Sequence, residues 1–238
     1  MFTTTSGIVL KTYPFRDKKI IAKVYTEQGG LMSFIVQKNK SQSMLSELLT
    51  IAEITYKNST SQSLTYIKEA RVEYVYQSLT TNGSKIQSAV VLCEILNKCV
   101  NETNKKLYNF IINSFTFLDR LQTVPSGFNN FFLLRFCDIM GIMPLKDNKD
   151  NVENMVLNMA EGCFKKYNPS EKNKFLVPRK ESEEIYKLSL LDFSNLINSN
   201  IDPNLEFRVF NYLISYVSLH IADLTNLKSI KIFKELVY

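Results

Sequence analysis

Five short segments rich in β-branched and aromatic residues crowd the first third of the chain, and they limit its possible folds more than any other feature. No helical pattern lies between them. Gly29-Gly30 separates the second segment from the third, and two glycines that tolerate positive φ favour a tight hairpin there. Five short strands in about 70 residues are typical of a small closed or partly open barrel. The segments are Ile8–Leu10, Ile20–Tyr25, Leu31–Val36, Leu49–Tyr56 and Leu64–Ala70.

After Asn82-Gly83 the apolar period becomes helical, with Ser84 as the predicted cap of the first helix. The predicted class is α+β multidomain, with a five-stranded barrel domain over 1–80 and an all-α domain over 81–238 that carries a linker and hairpin insertion near 145–180. Asp202 and Pro203 are the predicted N-cap and first residue of the last long helix. The other predicted elements are helices over 105–121, 127–140 and 182–198, a hairpin over 155–167 and a short helix over 227–237.

The positive charge of the chain is concentrated on the predicted barrel. Residues 1–40 carry seven Lys or Arg and two acidic residues, whereas the other 198 residues carry 22 and 21. Nearly all of the formal net charge of +6 therefore lies at the front of the chain. A basic β domain beside a near-neutral body favours a polyanionic partner, and nucleic acid is the first candidate.

The candidate nucleic-acid contacts are cations in loops and at strand ends, together with aromatic rings. Flexible ammonium groups suit a sugar–phosphate backbone, which requires charge rather than fixed geometry. Small barrels also bind single strands by stacking bases on rings. Each candidate ring also suits the core of a small barrel. The cationic candidates are Lys11, Arg16, Lys18, Lys19, Lys23, Lys38 and Lys40, and the aromatic candidates are Tyr25, Phe34, Tyr56 and Tyr66.

Catalysis and membrane insertion have little support in the sequence. The chain has one histidine, His220, which suits a packed and hydrogen-bonded structural role, and it has no phosphate-binding glycine motif. Four scattered cysteines without a C-x-x-C pair favour buried thiols over disulfides or metal ligands. The apolar runs are shorter than the roughly 18 residues that span a bilayer. We therefore predict a cytoplasmic protein that is not an enzyme and has no membrane partner.

Several strings, in the same order along the chain, resemble the RecO family of DNA-repair and recombination mediator proteins. They cover its opening strand, its next strand and hairpin, the basic loop after its third strand, a helix of its middle region and its tail. The resemblance extends over almost the whole chain. The matching strings are Ser6–Thr12, Ile20–Leu31, the loop at Lys38 and Lys40, Phe131–Phe136 with Met140–Pro144, and Tyr216–His220 with Leu227–Ser229.

The resemblance implies an N-terminal OB-fold barrel followed by an α-helical domain. It also implies a nucleoid-associated, non-enzymatic mediator of DNA recombination and of the repair of DNA damage. Such a protein binds single- and double-stranded DNA and anneals complementary strands. With RecR as its partner, it helps to load RecA onto strands coated by single-stranded-DNA-binding protein.

The coating protein ends in an acidic, aromatic tail, which requires a cation beside an apolar groove. The first predicted site for this tail is Arg135 beside Phe132 and Phe136, and the second is Arg208 beside Phe207. A surface cation whose stem packs on its own domain is the alternative for both arginines.

One departure from the family concerns zinc. Many members carry a four-cysteine zinc site in the stretch that matches residues 145–185, where this chain has Cys163 alone. The prediction is therefore that no zinc or other cofactor is bound. Packing would then hold the hairpin in place of the metal, through Met155, Leu157, Met159 and Phe164.

Two other functions remain open at this point. The chain could be a protein–protein adaptor whose charge is incidental, or an RNA-binding OB-fold protein without a role in DNA repair. An adaptor would show no salt-dependent binding of DNA, and an RNA binder would prefer RNA through contacts to its 2′-hydroxyl groups.

Overall fold

The computed structural model describes residues 1–16, 18–38, 41–57, 64–146, 154–171 and 173–230. Lys40, a predicted DNA contact, lies outside the described residues, as do 147–153 of the predicted linker and most of the predicted C-terminal helix. No helix within these ranges combines the length and the apolar character needed to cross a membrane.

Five strands close into a barrel in the order β1-β2-β3-β5-β4. The strands are β1 (Phe2–Pro14), β2 (Lys19–Thr26), β3 (Gly30–Gln37), β4 (Ile51–Lys57) and β5 (Thr65–Tyr74). β1 is long enough to pair with β4 through its first half and with β2 through its second half. A parallel pair between β3 and β5 completes the ring. A closed five-stranded barrel followed by helices confirms the predicted fold class, including its OB-fold barrel.

Alternate residues of the strands fill the interior of the barrel, as the period of two requires. The turn between β2 and β3 is fixed by Thr26, whose Oγ1 accepts from the Gly29 N–H at 3.0 Å and donates to the Gly30 carbonyl at 2.9 Å. β2 and β3 pair antiparallel with Thr26 opposite Gly30, whose φ is +66°, so the predicted hairpin at Gly29-Gly30 is confirmed. The buried core residues are Val9, Ile20, Ala22, Val24, Phe34, Val36, Leu45, Ala52, Ile54, Tyr56 and Ile67.

Two helices follow the barrel, α1 (Gly83–Cys99) and α2 (Lys105–Arg120). The Asn82 side chain accepts from the Lys85 N–H, so Asn82 is the N-cap of α1, and the prediction of Ser84 was wrong by two positions. Contacts group both helices with the barrel, in a unit that comprises Met1–Thr123 and the C-terminal stretch from Leu227. The change from strand to helix lies near residue 80, whereas this compact unit extends beyond it.

A buried carboxylate ties the end of β5 to the two helices. The oxygens of Asp119 accept from three consecutive backbone N–H groups, those of residues 77–79, at 2.8–3.0 Å, and from the Tyr74 hydroxyl at 2.9 Å. Lys85, which is fully buried, donates to Ser78 Oγ at 2.6 Å and to the Asp119 backbone carbonyl at 3.2 Å. Burial by itself raises the pKa of Asp119, but the hydrogen bonds outweigh it and lower this pKa below its ordinary 3.8.

The second unit spans Val124–Asn226. A single helix over 182–198 was predicted, and this was wrong, because the chain turns after Ser189 and Asp192 caps a new short helix by accepting from the Asn195 N–H at 2.8 Å. The N-cap at Asp202 and the start at Pro203 are confirmed. The helices of this unit are α3 (Phe128–Ile139), α4 (Arg179–Ser189), α5 (Phe193–Leu196) and α6 (Pro203–His220), and its strands are β6 (Leu145–Lys146), β7 (Met155–Asn158) and β8 (Cys163–Lys166).

Packing and hydrogen bonds hold the β7–β8 hairpin in this unit. Ser182 Oγ accepts from the Leu157 N–H at 3.0 Å and donates to the Val177 carbonyl at 2.9 Å. His220 Nε2 lies 2.7 Å from the Met159 carbonyl oxygen, which confirms the predicted hydrogen bond. The residue itself is exposed, with its ring centre 4.5 Å from that of Tyr216. The four hydrophobic residues predicted to anchor the hairpin, Met155, Leu157, Met159 and Phe164, are all buried.

Candidate nucleic-acid interface

The first three strands of the barrel carry lysines and no acidic residue. Lys11, Lys19 and Lys23 are their charged side chains. The other two strands carry three acidic and three basic residues, which are Glu53, Lys57, Lys68, Glu69, Arg71 and Glu73. Unbalanced positive charge therefore lies on the β1–β2–β3 side of the barrel.

Lys11 and Lys23 lie directly opposite each other in the β1–β2 ladder. The neighbours of Lys23 on β2, Ala22 and Val24, belong to the barrel core, so alternation turns Lys23 and its partner outward. Like charges in directly opposite positions destabilise a sheet. An anion bound between these two ammonium groups would remove that repulsion.

The other described cations of the predicted site gather at the end of the barrel where β2 begins. Arg16 and Lys18 lie exposed in the β1–β2 turn. Lys38 follows β3, and its backbone N–H donates to the Lys18 carbonyl at 3.0 Å. The Nζ of Lys19 lies 5.9 Å from the centre of the Tyr66 ring. The fold thus brings together four cations that are separated by up to 22 positions in the chain.

Described carboxylates do not neutralise these cations through ion pairs. None of the six described cations of the site forms an ion pair with a described carboxylate. Glu94 of α1 is near Lys11, but its carboxylate is occupied by the backbone N–H groups of Lys228 and Ser229. Burial by itself raises the pKa of Glu94, and these hydrogen bonds, with the charge of Lys11, lower it.

The opposite end of the barrel is covered by the loop between α1 and α2. The Asn101 carbonyl accepts from the Leu31 N–H at 3.0 Å, and Thr103 Oγ1 donates to the Glu27 carbonyl at 3.0 Å. Lys105 forms an ion pair with Glu27 at 3.0 Å. Arg16, Lys18, Lys19 and Lys38 therefore lie at the end that this loop leaves uncovered.

Tyr25 and Phe34, predicted to stack on bases, are both fully buried, so that prediction was wrong. Phe34 packs inside the barrel, edge-on against Tyr56, with 5.5 Å between the ring centres. Tyr25 points out of the barrel and is covered there by Tyr108 of α2, whose ring centre is 6.5 Å away. Its hydroxyl donates to the Glu102 carbonyl at 3.3 Å, and burial raises the pKa of Tyr25.

Tyr66 is the exposed member of the four aromatic candidates. Its exposed fraction is 52%, whereas that of Tyr56 is 5%. Because Tyr66 is exposed and lies beside Lys19, it is the candidate ring that a base can reach. Whether an aromatic ring on a strand is exposed depends on which face of the strand the helices cover. The sequence alone does not show which face is covered.

The apolar groove predicted beside Arg135 is absent from the described surface. Phe132 and Phe136 are at most 1% exposed, because they face the interior of their unit, so the prediction of a groove there was wrong. The Arg135 guanidinium donates to the Leu191 carbonyl and lies 3.8 Å from the Asp138 carboxylate. A partner that binds Arg135 has to compete with these contacts.

Arg208, the second candidate for the partner's tail, is half-exposed on α6. Its Nε donates to Glu181 Oε1 at 2.6 Å, and Glu181 is nearly buried. Binding of a partner carboxylate by Arg135 or by Arg208 stays a prediction.

Metal-ligating residues do not cluster in the described part of the chain. No group of three or more His, Cys, Asp or Glu in these ranges could hold a metal ion. The half-exposed Cys163 has Glu161 as a neighbour, with 3.7 Å between Sγ and the carboxylate. Cys93, Cys99 and Cys137 are buried as free thiols, as predicted, and burial raises the pKa of Cys99 to about 12.

Comparison with known proteins leads to one family. Residues 1–76 match the family model described as recombination protein O N terminal. The chain is 26% identical to DNA repair protein RecO of Azobacteroides pseudotrichonymphae genomovar. CFP2, over 98% of both chains. It is 28% identical to DNA repair protein RecO of Phocaeicola vulgatus and 25% identical to that of Christiangramia forsetii, each over 99% of both chains. These matches confirm the resemblance found in the sequence.

Proposed function

Because residues 1–76 match the family model of recombination protein O and the whole chain is similar to DNA repair proteins RecO, we propose that it binds DNA through the cationic side of its barrel and acts as a recombination mediator. The observation that carries this proposal is the position of the six described cations. They lie on β1 and β2 and in the adjoining turns at one barrel end, and β1, β2 and β3 carry no acidic residue. A continuous surface of this sign suits a polyphosphate backbone.

Annealing of complementary strands follows from the same surface. Two strands repel each other through their phosphates, and a cationic surface that holds both lowers this repulsion. Lysine contacts to phosphate carry no base information, so they leave the base edges free to pair. The protein would then promote pairing without a catalytic residue, which is consistent with a non-enzymatic role.

The remaining parts of the proposal concern partners, cofactors and location. We propose that the protein works with RecR and helps to place RecA on strands coated by single-stranded-DNA-binding protein. We also propose that it acts in the cytoplasm, at the nucleoid, without zinc. The buried hairpin supports the last point, since its packing and its hydrogen bonds to Ser182 and His220 replace what a metal would supply.

The first experiment is a fluorescence anisotropy titration of a labelled single strand at several salt concentrations. Lys19→Gln combined with Lys23→Gln removes the two cations of β2, and we expect the slope of log K against log[salt] to fall in magnitude by about 1.4. Arg71→Gln is the matched control, because Arg71 lies on the charge-balanced β4–β5 side, opposite Glu53 in the ladder. An unchanged slope in the double variant would contradict the proposed site.

Matched RNA strands and a duplex complete this experiment. Binding of the wild-type protein that does not depend on salt would favour the adaptor. A strong preference for RNA over DNA of the same sequence would favour the RNA-binding alternative.

A further inference from the structure

The strand register places a row of aromatic and apolar side chains between the cations of the barrel. Tyr13 pairs with Ile21 across β1 and β2, Ile21 pairs with Ile35 across β2 and β3, and Ile35 pairs with Tyr66 across β3 and β5. Partners in a ladder share a face, and Ile21 alternates with residues of the barrel core, so the row lies on the outer side of the sheet. Ile35 in its middle is only 4% exposed, so the tyrosines at its two ends are its accessible rings. We call Tyr13, Ile21, Ile35 and Tyr66 the aromatic row.

Cations flank the aromatic row on both sides. Lys23 lies two residues from Ile21 in one direction along β2, with Lys11 opposite it, and Lys19 lies two residues away in the other direction. At a strand rise of about 3.4 Å per residue, each flank is about 7 Å from the row. A groove that combines positive charge with aromatic rings is the arrangement by which small barrels hold single strands.

Both tyrosines of the row already associate with a cation. The Nζ of Lys11 lies 5.2 Å from the centre of the Tyr13 ring, and that of Lys19 lies 5.9 Å from the centre of the Tyr66 ring. Tyr66 is 52% exposed, and Tyr13 is half-buried. Each pair therefore presents a ring face for a base and an ammonium group for the adjoining phosphate.

We infer that the two rings of the aromatic row bind unpaired bases, with Tyr66 as the principal stacking residue, and that they give the barrel a preference for single strands over duplex. The inference rests on the DNA-binding function proposed above. Bases in a duplex are stacked on each other, so their faces are closed to a tyrosine, and a duplex can use the flanking cations alone. Tyr66 is thus a specificity-determining residue, whereas the lysines bind either form of DNA.

The test compares Tyr66→Ala with the wild-type chain, using anisotropy of a labelled single strand and of a blunt duplex of the same length. Stacking is worth about 1–3 kcal/mol per base, so we expect about 5- to 150-fold weaker binding of the single strand and less than a twofold change for the duplex. Tyr66→Phe keeps the ring and should bind like the wild type. Tyr167→Ala is the matched control, because Tyr167 is a 42% exposed ring in the second unit with the Arg179 guanidinium 5.7 Å from its centre.

An abasic single strand separates stacking from charge. The wild-type chain should bind the abasic strand about as weakly as Tyr66→Ala binds the normal strand. Tyr66→Ala should bind the abasic and the normal strand equally. An equal loss for single strand and duplex, or no loss at all, would overturn the inference and leave the proposed DNA binding standing. Failure of the wild-type chain to bind any DNA in a salt-dependent way would instead remove the proposed function itself.

Discussion

Replacement of Asp119, whose carboxylate is buried, should lower the free energy of unfolding of the unit that contains the barrel more than any other single change. Asp119→Asn keeps the shape of the side chain and exchanges one accepting oxygen for an NH2 group. The carboxylate now accepts from the three N–H groups of residues 77–79 and from Tyr74. The NH2 group of the asparagine would face at least one of these N–H or O–H groups, which also donate. One or two buried donors would lose their acceptor.

The expected cost follows from the number of donors that lose their partner. A buried donor left without an acceptor costs about 1–3 kcal/mol, so we expect the free energy of unfolding to fall by about 2–4 kcal/mol near neutral pH. The pKa of Asp119 is lower in the folded state than its ordinary 3.8. The stability that its charge contributes is therefore present above the unfolded-state pKa, and it is lost as the pH falls through the lower folded-state pKa.

Urea unfolding followed by circular dichroism measures this effect, since the chain has no tryptophan for fluorescence. We expect the difference between wild type and Asp119→Asn to be largest at about pH 6–7 and to shrink below about pH 3.8. Asp138→Asn is the matched control, because the Asp138 side chain on α3 is 57% exposed and should change stability little. A difference below about 1 kcal/mol at neutral pH, or one that does not depend on pH, would refute this account of Asp119.

Two further predictions concern the two ends of the barrel. Gly30→Ala should destabilise by about 2–4 kcal/mol in urea unfolding, because its φ is +66° and the new Cβ would lie 2.4 Å from the Asn101 carbonyl oxygen. Gly141→Ala, at a φ of +75° with nothing within 4 Å, should cost about 1–2 kcal/mol, and equal costs would argue against the packing at Gly30. Lys38→Ala should reduce the magnitude of the salt slope for single-stranded DNA by about 0.7. Lys105→Ala, at the covered end, should leave the slope unchanged, and equal effects of the two would contradict the location of the site.

Much of the barrel could be predicted from local patterns in the sequence. Alternation of apolar and polar residues indicates strands, and Gly29-Gly30 indicates the turn that joins β2 to β3. The positive charge at the front of the chain also follows from composition, and the structure places the described cations on β1 and β2 and in the adjoining turns. Local signals of this kind are strong because each depends on a few neighbouring residues.

Exposure of the aromatic residues could not be predicted in the same way. Tyr25 and Phe34 alternate with neighbours as strand residues do, but the period of two shows which residues share a face and not what covers that face. On β2 one face fills the barrel and part of the other lies under α2, so Tyr25 is buried although it points outward. The covering helix starts about 80 positions later in the chain, and no local pattern of β2 reports it.

The orientation of Lys11 depends on a β-bulge that no local pattern in the sequence predicts. Val9 pairs with Val24 and lies in the barrel core, so strict alternation would turn Lys11 inward as well. The register shifts between Val9 and Lys11, and Leu10 has no partner there. This bulge reverses the faces of the second half of β1 and sets Lys11 opposite Lys23 and Tyr13 opposite Ile21. Without this bulge, Lys11 would no longer lie beside Lys23 on the outer face, and Tyr13 would no longer belong to the aromatic row. The composition of β1 therefore supplies the charge, and the bulge at Leu10 turns that charge to the outer face of the barrel.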